Sequence, residues 1–102
     1  MKSEVEYTIR LGAFDRYRHK HIREKRKVVY FRVQYETLVD DKWYPVVRYD
    51  TAHGFAHRDL ISRKGEVTKT PILIFDYNDA LIFAESDLKA NWEVYRGRFL
   101  RR

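Results

Sequence analysis

The chain has 102 residues, enough for one domain around a single core and too few for a two-domain enzyme with a separate cofactor module. Apolar residues make up 44% and aromatics 16%, which supplies a core and argues against wholesale disorder; with no cysteine, disulfides, zinc–thiolate centres and thiol catalysis are excluded. The 21 Lys and Arg against 15 acids leave a formal charge of +6, which favours acidic partners, with RNA ahead of DNA. The longest wholly apolar run, Ile72-Leu73-Ile74-Phe75, falls far short of the roughly 20 residues of a membrane span. The opening Met1-Lys2-Ser3-Glu4-Val5-Glu6 is too polar for a signal peptide. These features predict a soluble, cytoplasmic protein with no membrane partner and no cofactor.

In chain order, Val5, Tyr7, Ile9 and Leu11 alternate with Glu4, Glu6, Thr8 and Arg10, the pattern of a half-buried strand ended by Gly12. The stretch from Phe14 to Lys27 has no regular apolar period and reads as a surface loop or short helix. It carries Arg16, Arg18, Lys20, Arg23, Lys25, Arg26 and Lys27, which are candidate phosphate contacts, with Phe14 and Tyr17 available to stack on bases. Val28 to Val39 predicts a strand with Val29, Phe31, Val33, Tyr35, Thr37 and Val39 on one face and Arg32, Gln34 and Glu36 on the other.

Asp40-Asp41 signals a turn, and Trp43 to Tyr49 returns as the partner strand. A two-residue loop would set Arg48 opposite Val33 on the apolar face. A three-residue loop through Lys42 instead pairs Val33 with Tyr49, Tyr35 with Val47 and Val39 with Trp43, and is preferred. Pro45 marks an edge or a bulge. Phe55 to Ile61 and Glu66 to Pro71 form a hairpin about Ser62-Arg63-Lys64-Gly65, and Ile72 to Phe75 is a connector expected under the following helix.

That helix has Asp76 as candidate N-cap and a stripe of Tyr77, Leu81, Ala84, Leu88, Trp92, Tyr95 and Phe99 at steps of three and four. Gly97 is expected to fray the last turn, where Arg96, Arg98, Arg101 and Arg102 form a second basic cluster. The fold class is α+β: residues 1–102 as a single domain, a twisted antiparallel sheet of four to five strands with one long C-terminal helix packed on one face. The uncovered face carries Arg32, Gln34, Glu36, Arg48 and Asp50 and is a candidate working surface.

The densest polar stretch runs from Arg48 through Asp50, His53, His57 and Arg58 to Asp59. These group types suit metal-independent cleavage of RNA. His57 and His53 would act as acid and base, Arg48 and Arg58 would clamp the phosphate, and Asp50 and Asp59 would orient the imidazoles. On a straight strand His53 and His57 would stand about 13 Å apart, so a bend at Gly54 or a loop position for His53 is required. Histidines spaced i, i+4 chelate on a helix and not on a strand, so no metal centre is expected. Three alternatives stay open: a strand-end ion-pair network with His57 hydrogen-bonded beneath it, a non-catalytic nucleic-acid-binding module using Arg16 to Lys27, and a homo-oligomeric or scaffold subunit that meets a partner through its exposed sheet edge or an aromatic surface.

The core Arg48-Tyr-Asp50-x-x-His53-Gly54-x-x-His57-Arg58-Asp59, followed by a helix with Asp87, Trp92 and Tyr95, resembles a family of short prokaryotic proteins of unknown function. More distantly, an Arg-x-Asp followed by histidines after a β-hairpin is similar to the TumE-type toxins of toxin–antitoxin pairs. The second resemblance implies a toxin-type activity, with a protein antitoxin as partner.

Overall fold

Turns at residues 13–14, 25–26 and 40–41 punctuate the first half of the chain, and each turn becomes a hairpin. The computed structural model describes residues 1–101, so Arg102 of the second basic cluster lies outside the described residues. The elements are β1 (Lys2–Gly12), β2 (Asp15–Glu24), β3 (Lys27–Val39), β4 (Lys42–Asp50), β5 (His57–Ile61), β6 (Val67–Pro71) and α1 (Tyr77–Leu100). The strands form one antiparallel sheet in the order β1-β2-β3-β4-β5-β6, and α1 lies across β3 and β4 on one face. The fold is α+β with six strands, more than the four to five expected.

The extra strand is β2, built from the basic stretch expected to be a loop or short helix. Its residues do alternate. Tyr17, His19 and His21 point to the helix side and are buried, while Arg16, Arg18 and Lys20 point to the uncovered side. Two imidazoles stand where an apolar residue is the usual choice, which hides the period.

The β3–β4 hairpin combines both loops that the sequence offers. Val39 pairs with Lys42, so the turn is the two residues Asp40-Asp41, both with positive φ (51° and 65°). Beyond it the register shifts between Tyr35 and Glu36: Glu36 pairs with Pro45, Tyr35 with Val47, and Val46 is the extra residue. Val33 therefore meets Tyr49 as predicted, while Leu38, not Val39, meets Trp43. A second irregularity between Ile22 and Arg23 leaves Val29 without a cross-strand partner on β2, so Val28 is buried and Val29 is exposed, the reverse of the expected alternation.

The core lies between α1 and the sheet. Leu81, Ala84, Leu88 and Phe99 of the stripe are buried against Tyr17, Phe31, Val33, Tyr35, Val47 and Tyr49. Asp76 caps the helix by accepting from the backbone N–H groups of Asn78 and Asp79. The last turn does not fray, since α1 continues through Gly97 to Leu100. Polar contacts fix the helix on the sheet: the Tyr49 hydroxyl donates to Asp87 (2.7 Å), which also accepts from Tyr95 of the same helix (2.6 Å), and Val28 N–H donates to Asn78 Oδ1 (2.8 Å). Trp92 packs onto Gly12, where a Cβ would stand 2.9 Å from the indole. Of the connector, Ile72 and Ile74 pack against the core while Leu73 and Phe75 face solvent. Among the described residues no helix is long and apolar enough to cross a membrane.

The β3–β4 turn sets the register on which the uncovered face depends. Left-handed backbone is unfavourable for a side-chain-bearing residue, so Asp41→Gly is expected to raise stability by about 0.5–1 kcal/mol, net of the entropy glycine adds to the unfolded chain. Urea denaturation of the two proteins measures this, and a loss of stability would contradict the turn assignment.

Candidate functional site

Cross-strand pairing lays two polar rows across the uncovered face. One runs Arg18, Gln34, Arg48, Asp59, Lys69; the other runs Lys20, Arg32, Asp50, His57. Glu36, two residues from Gln34 on β3, pairs with Arg16 and shares this face. Glu36, Asp50 and Asp59 are buried although no helix covers them. Cations cover them instead. Arg16 Nε stands 2.6 Å and Arg18 Nη1 3.3 Å from Glu36, Lys69 Nζ 3.0 Å from Asp59, and Arg32 Nε 3.6 Å from Asp50. Gln34 donates to Glu36 and accepts from Arg48 Nε (2.7 Å), while Arg48 Nη1 lies 3.9 Å from Asp59. Burial, and then the neighbouring Arg32, pulls the Arg48 pKa below its ordinary value.

The candidate acid–base residues converge at one end of this face. The segment between β4 and β5 turns back over the sheet through Gly54 (φ +85°), whose N–H donates to Thr51 O (3.1 Å). This brings the His53 and His57 ring centroids to 5.7 Å, less than half the straight-strand spacing. His57 is 1% exposed. Its Nε2 stands 2.9 Å from Asp50 and 3.7 Å from Asp59, its Nδ1 faces Phe55 O, and the Phe55 ring packs beside it. His53 is exposed. His57 is thus locked by its neighbours, and His53 is the imidazole of the pair that meets solvent.

Arg58 takes no part in this cluster. Strand alternation sends His57 and Asp59 to the uncovered face and Arg58 to the helix side, where its Nη1 lies 3.4 Å from the Tyr95 hydroxyl. The two-arginine phosphate clamp expected from Arg48 and Arg58 is therefore not assembled. Of the basic segment, Arg16, Arg18 and Lys20 lie on the uncovered face. Lys25 and Arg26 form the exposed β2–β3 turn with φ of 52° and 71°, Lys27 is exposed beside it, and Arg23 is engaged on the helix side.

Asp50, His57 and Asp59 offer ligand atoms within 4.8 Å of one another, a spacing at which a metal could be held. The carboxylates already face Arg32, Arg48 and Lys69, so side-chain cations fill the electrostatic role that a metal would take.

A second buried polar cluster lies on the helix side of β2 and was not singled out in the sequence, where only the spacing His19-x-His21 signals it. Arg23 can only donate, so its 2.8 Å contact makes His21 Nε2 an acceptor. His21 Nδ1–H then donates to His19 Nε2 (2.6 Å), and His19 Nδ1–H donates to the Tyr17 hydroxyl (2.8 Å). A proton added to either imidazole would break this one-way chain. Burial pulls both imidazole pKa values below the ordinary range; Arg23 lowers both further and Glu85 opposes.

The chain belongs to a family whose members share a domain of unknown function (DUF7718). The family model matches residues 1–102. No curated protein and no solved structure matches the chain. Membership in this family assigns no activity, so the chemistry of the cluster rests on its geometry.

The neutral histidine pair makes stability depend on pH. Below about pH 6.5 the unfolded chain protonates both imidazoles while the native chain, with lowered pKa values, does not. The unfolded state then binds more protons, so this contribution is fully present above about pH 6.5 and is lost as pH falls toward the native values. Urea midpoints should drop between about pH 7.5 and about pH 5.5, and replacing both His19 and His21 by Gln should flatten that dependence. Equal slopes in the two proteins would contradict the chain of hydrogen bonds.

Proposed function

We propose that the protein binds single-stranded RNA across the uncovered face of its sheet. The observation that carries this reading is the charge balance there: Arg16, Arg18, Arg32, Arg48 and Lys69, five cations, face three buried carboxylates, Glu36, Asp50 and Asp59. The carboxylates hold the head groups in place while the side chains of Arg18, Arg32 and Lys69 stay about half exposed (52%, 49% and 42%). A polar groove of about 520 Å³ runs between Arg18, Lys20, Arg32 and Gln34, with Tyr30 in its wall. Guanidinium groups beside an aromatic ring suit a flexible strand, with phosphates on the arginines and a base on the ring. Thr8 at the groove's edge offers a partner for a 2′-hydroxyl, the group that separates RNA from DNA.

Binding measured by fluorescence anisotropy should weaken steeply with salt, by about 0.7 units of log slope per phosphate neutralised on a single strand. Replacing Arg18, Lys20 and Arg32 together with Gln should flatten the slope by about 2 units, and replacing Lys25, Arg26 and Lys27 should flatten it less. DNA of the same sequence should bind more weakly. Absence of binding at low salt would remove the reading.

The approach of His53 to His57 favours a second reading, metal-independent cleavage of the bound strand, the chemistry of a toxin-type ribonuclease. With Nε2 of His57 given to Asp50, His53 is the imidazole that can touch RNA, Arg48 on the uncovered face is the phosphate ligand, and His57 is a positioning residue. His53→Ala should then slow cleavage by about 10²–10⁴ with RNA affinity unchanged, and the product should end in a 2′,3′-cyclic phosphate without added metal. Intact RNA after prolonged incubation with the wild type would leave binding as the function.

A further inference from the structure

The two edges of the sheet are unlike. β6 is a five-residue strand that ends in Pro71, a short edge with a missing donor. β1 is eleven residues long and pairs with β2 along one side only, so its other side presents free backbone N–H and C=O groups. Its helix-side residues Val5, Tyr7 and Ile9 are 36–38% exposed, because α1 packs chiefly over β3 and β4 and meets β1 at its end, through Trp92 on Gly12. The expected half-buried strand is thus an apolar stripe without a cover.

We propose that β1 is a dimerisation strand, and that it pairs antiparallel with β1 of a second copy about a two-fold axis at Tyr7. The support lies in its own residues. A two-fold axis at Tyr7 places Glu4 opposite the partner's Arg10 and Arg10 opposite the partner's Glu4 on the uncovered face. On the helix side it places Val5 opposite the partner's Ile9 and Tyr7 opposite the partner's Tyr7. Between Glu4 and Arg10 every pair joins opposite charges or apolar groups, apart from Glu6, which meets the partner's Thr8; at the strand ends Ser3 meets the partner's Leu11 and Lys2 the partner's Gly12. Neighbouring registers are worse. An axis at Glu6 sets Glu6 against the partner's Glu6 and Lys2 against the partner's Arg10, which is like charge on like. An axis at Thr8 sets Glu6 against the partner's Arg10 and Tyr7 against the partner's Ile9, but it carries the Val5–Leu11 and Glu4–Gly12 pairs into the irregularity between Arg10 and Gly12 and leaves fewer regular pairs.

Pairing in this way makes one continuous sheet of two copies. The uncovered faces lie on the same side, so the cationic rows of the two β2 strands flank the axis. The stripe of Val5, Tyr7 and Ile9 becomes the centre of a shared apolar band. The inference stands apart from RNA binding, since it rests on the edge and not on the uncovered face.

A charge exchange tests it. In sedimentation equilibrium of the full chain, the wild type should dimerise. Glu4→Arg alone and Arg10→Glu alone should each weaken the dimer by about tenfold or more, because two symmetric pairs turn repulsive at once. An equimolar mixture of E4R and R10E should regain dimers, since each copy then meets opposite charge at both ends, whereas Glu6→Arg should have little effect. As a readout that does not depend on charge, Tyr7→Cys introduces the only thiol and should form a disulfide dimer on mild oxidation, whereas Val5→Cys should not, because it faces the partner's Ile9. A wild type that stays monomeric at its highest soluble concentration, or a mixture no more dimeric than its components, would overturn the proposal.

Discussion

Three carboxylates buried on a sheet face that no helix covers dominate this molecule. A buried carboxylate is tolerated only with charged or hydrogen-bonded partners, and removing one partner from a buried pair costs several kcal/mol. Glu36, Asp50 and Asp59 find theirs in Arg16, Arg18, Arg32, Arg48, Lys69 and His57, which come from β2 to β6. An apolar layer on this face would strip those groups of solvent and leave the surplus cations without partners. The one helix therefore packs on the opposite side, and the charged face stays open as a surface.

The same arrangement decides what the histidines can do. His57 sits where Asp50 and Asp59 need a donor, and the turn through Gly54 closes over it. An imidazole so placed is held by its neighbours and closed off from solvent. His53, carried on the turn, has the opposite character. On the helix side, His19 and His21 are again bound into a chain whose direction Arg23 sets. Three of the four histidines are thus structural in their immediate contacts, and the exposed one lies beside the arginine-rich face.

Much of the fold was legible because apolar alternation and the three-four helical step are local signals. β3, β4 and α1 follow them closely. β2 did not, because buried imidazoles and a tyrosine replace the aliphatic residues that reveal a strand. Pro45 marked the bulge, but only the pairing shows that Val46 is the extra residue that reconciles a two-residue turn with the apolar register. The cluster of Asp50, His57 and Asp59 was visible as a dense stretch of sequence. Alternation placed Gln34 and Glu36 on the uncovered face with Arg48 and Asp50, but Lys69, which meets Asp59 across the β5–β6 hairpin, was not joined to the cluster, since a cross-strand neighbour leaves no local trace. Arg58 shows the reverse error: nearness in sequence grouped it with Arg48, and strand alternation separates them.

The central claim is that the cations held by Glu36, Asp50 and Asp59 form the ligand-binding layer. Arginine Nε–Hε resonances report it directly during titration with a short single-stranded RNA at low salt. Arg18, Arg32 and Arg48 should shift together and saturably, while Arg58 and Arg98 on the helix side stay in place. Shifts confined to Arg58 and Arg98, or none at any RNA concentration, would contradict it.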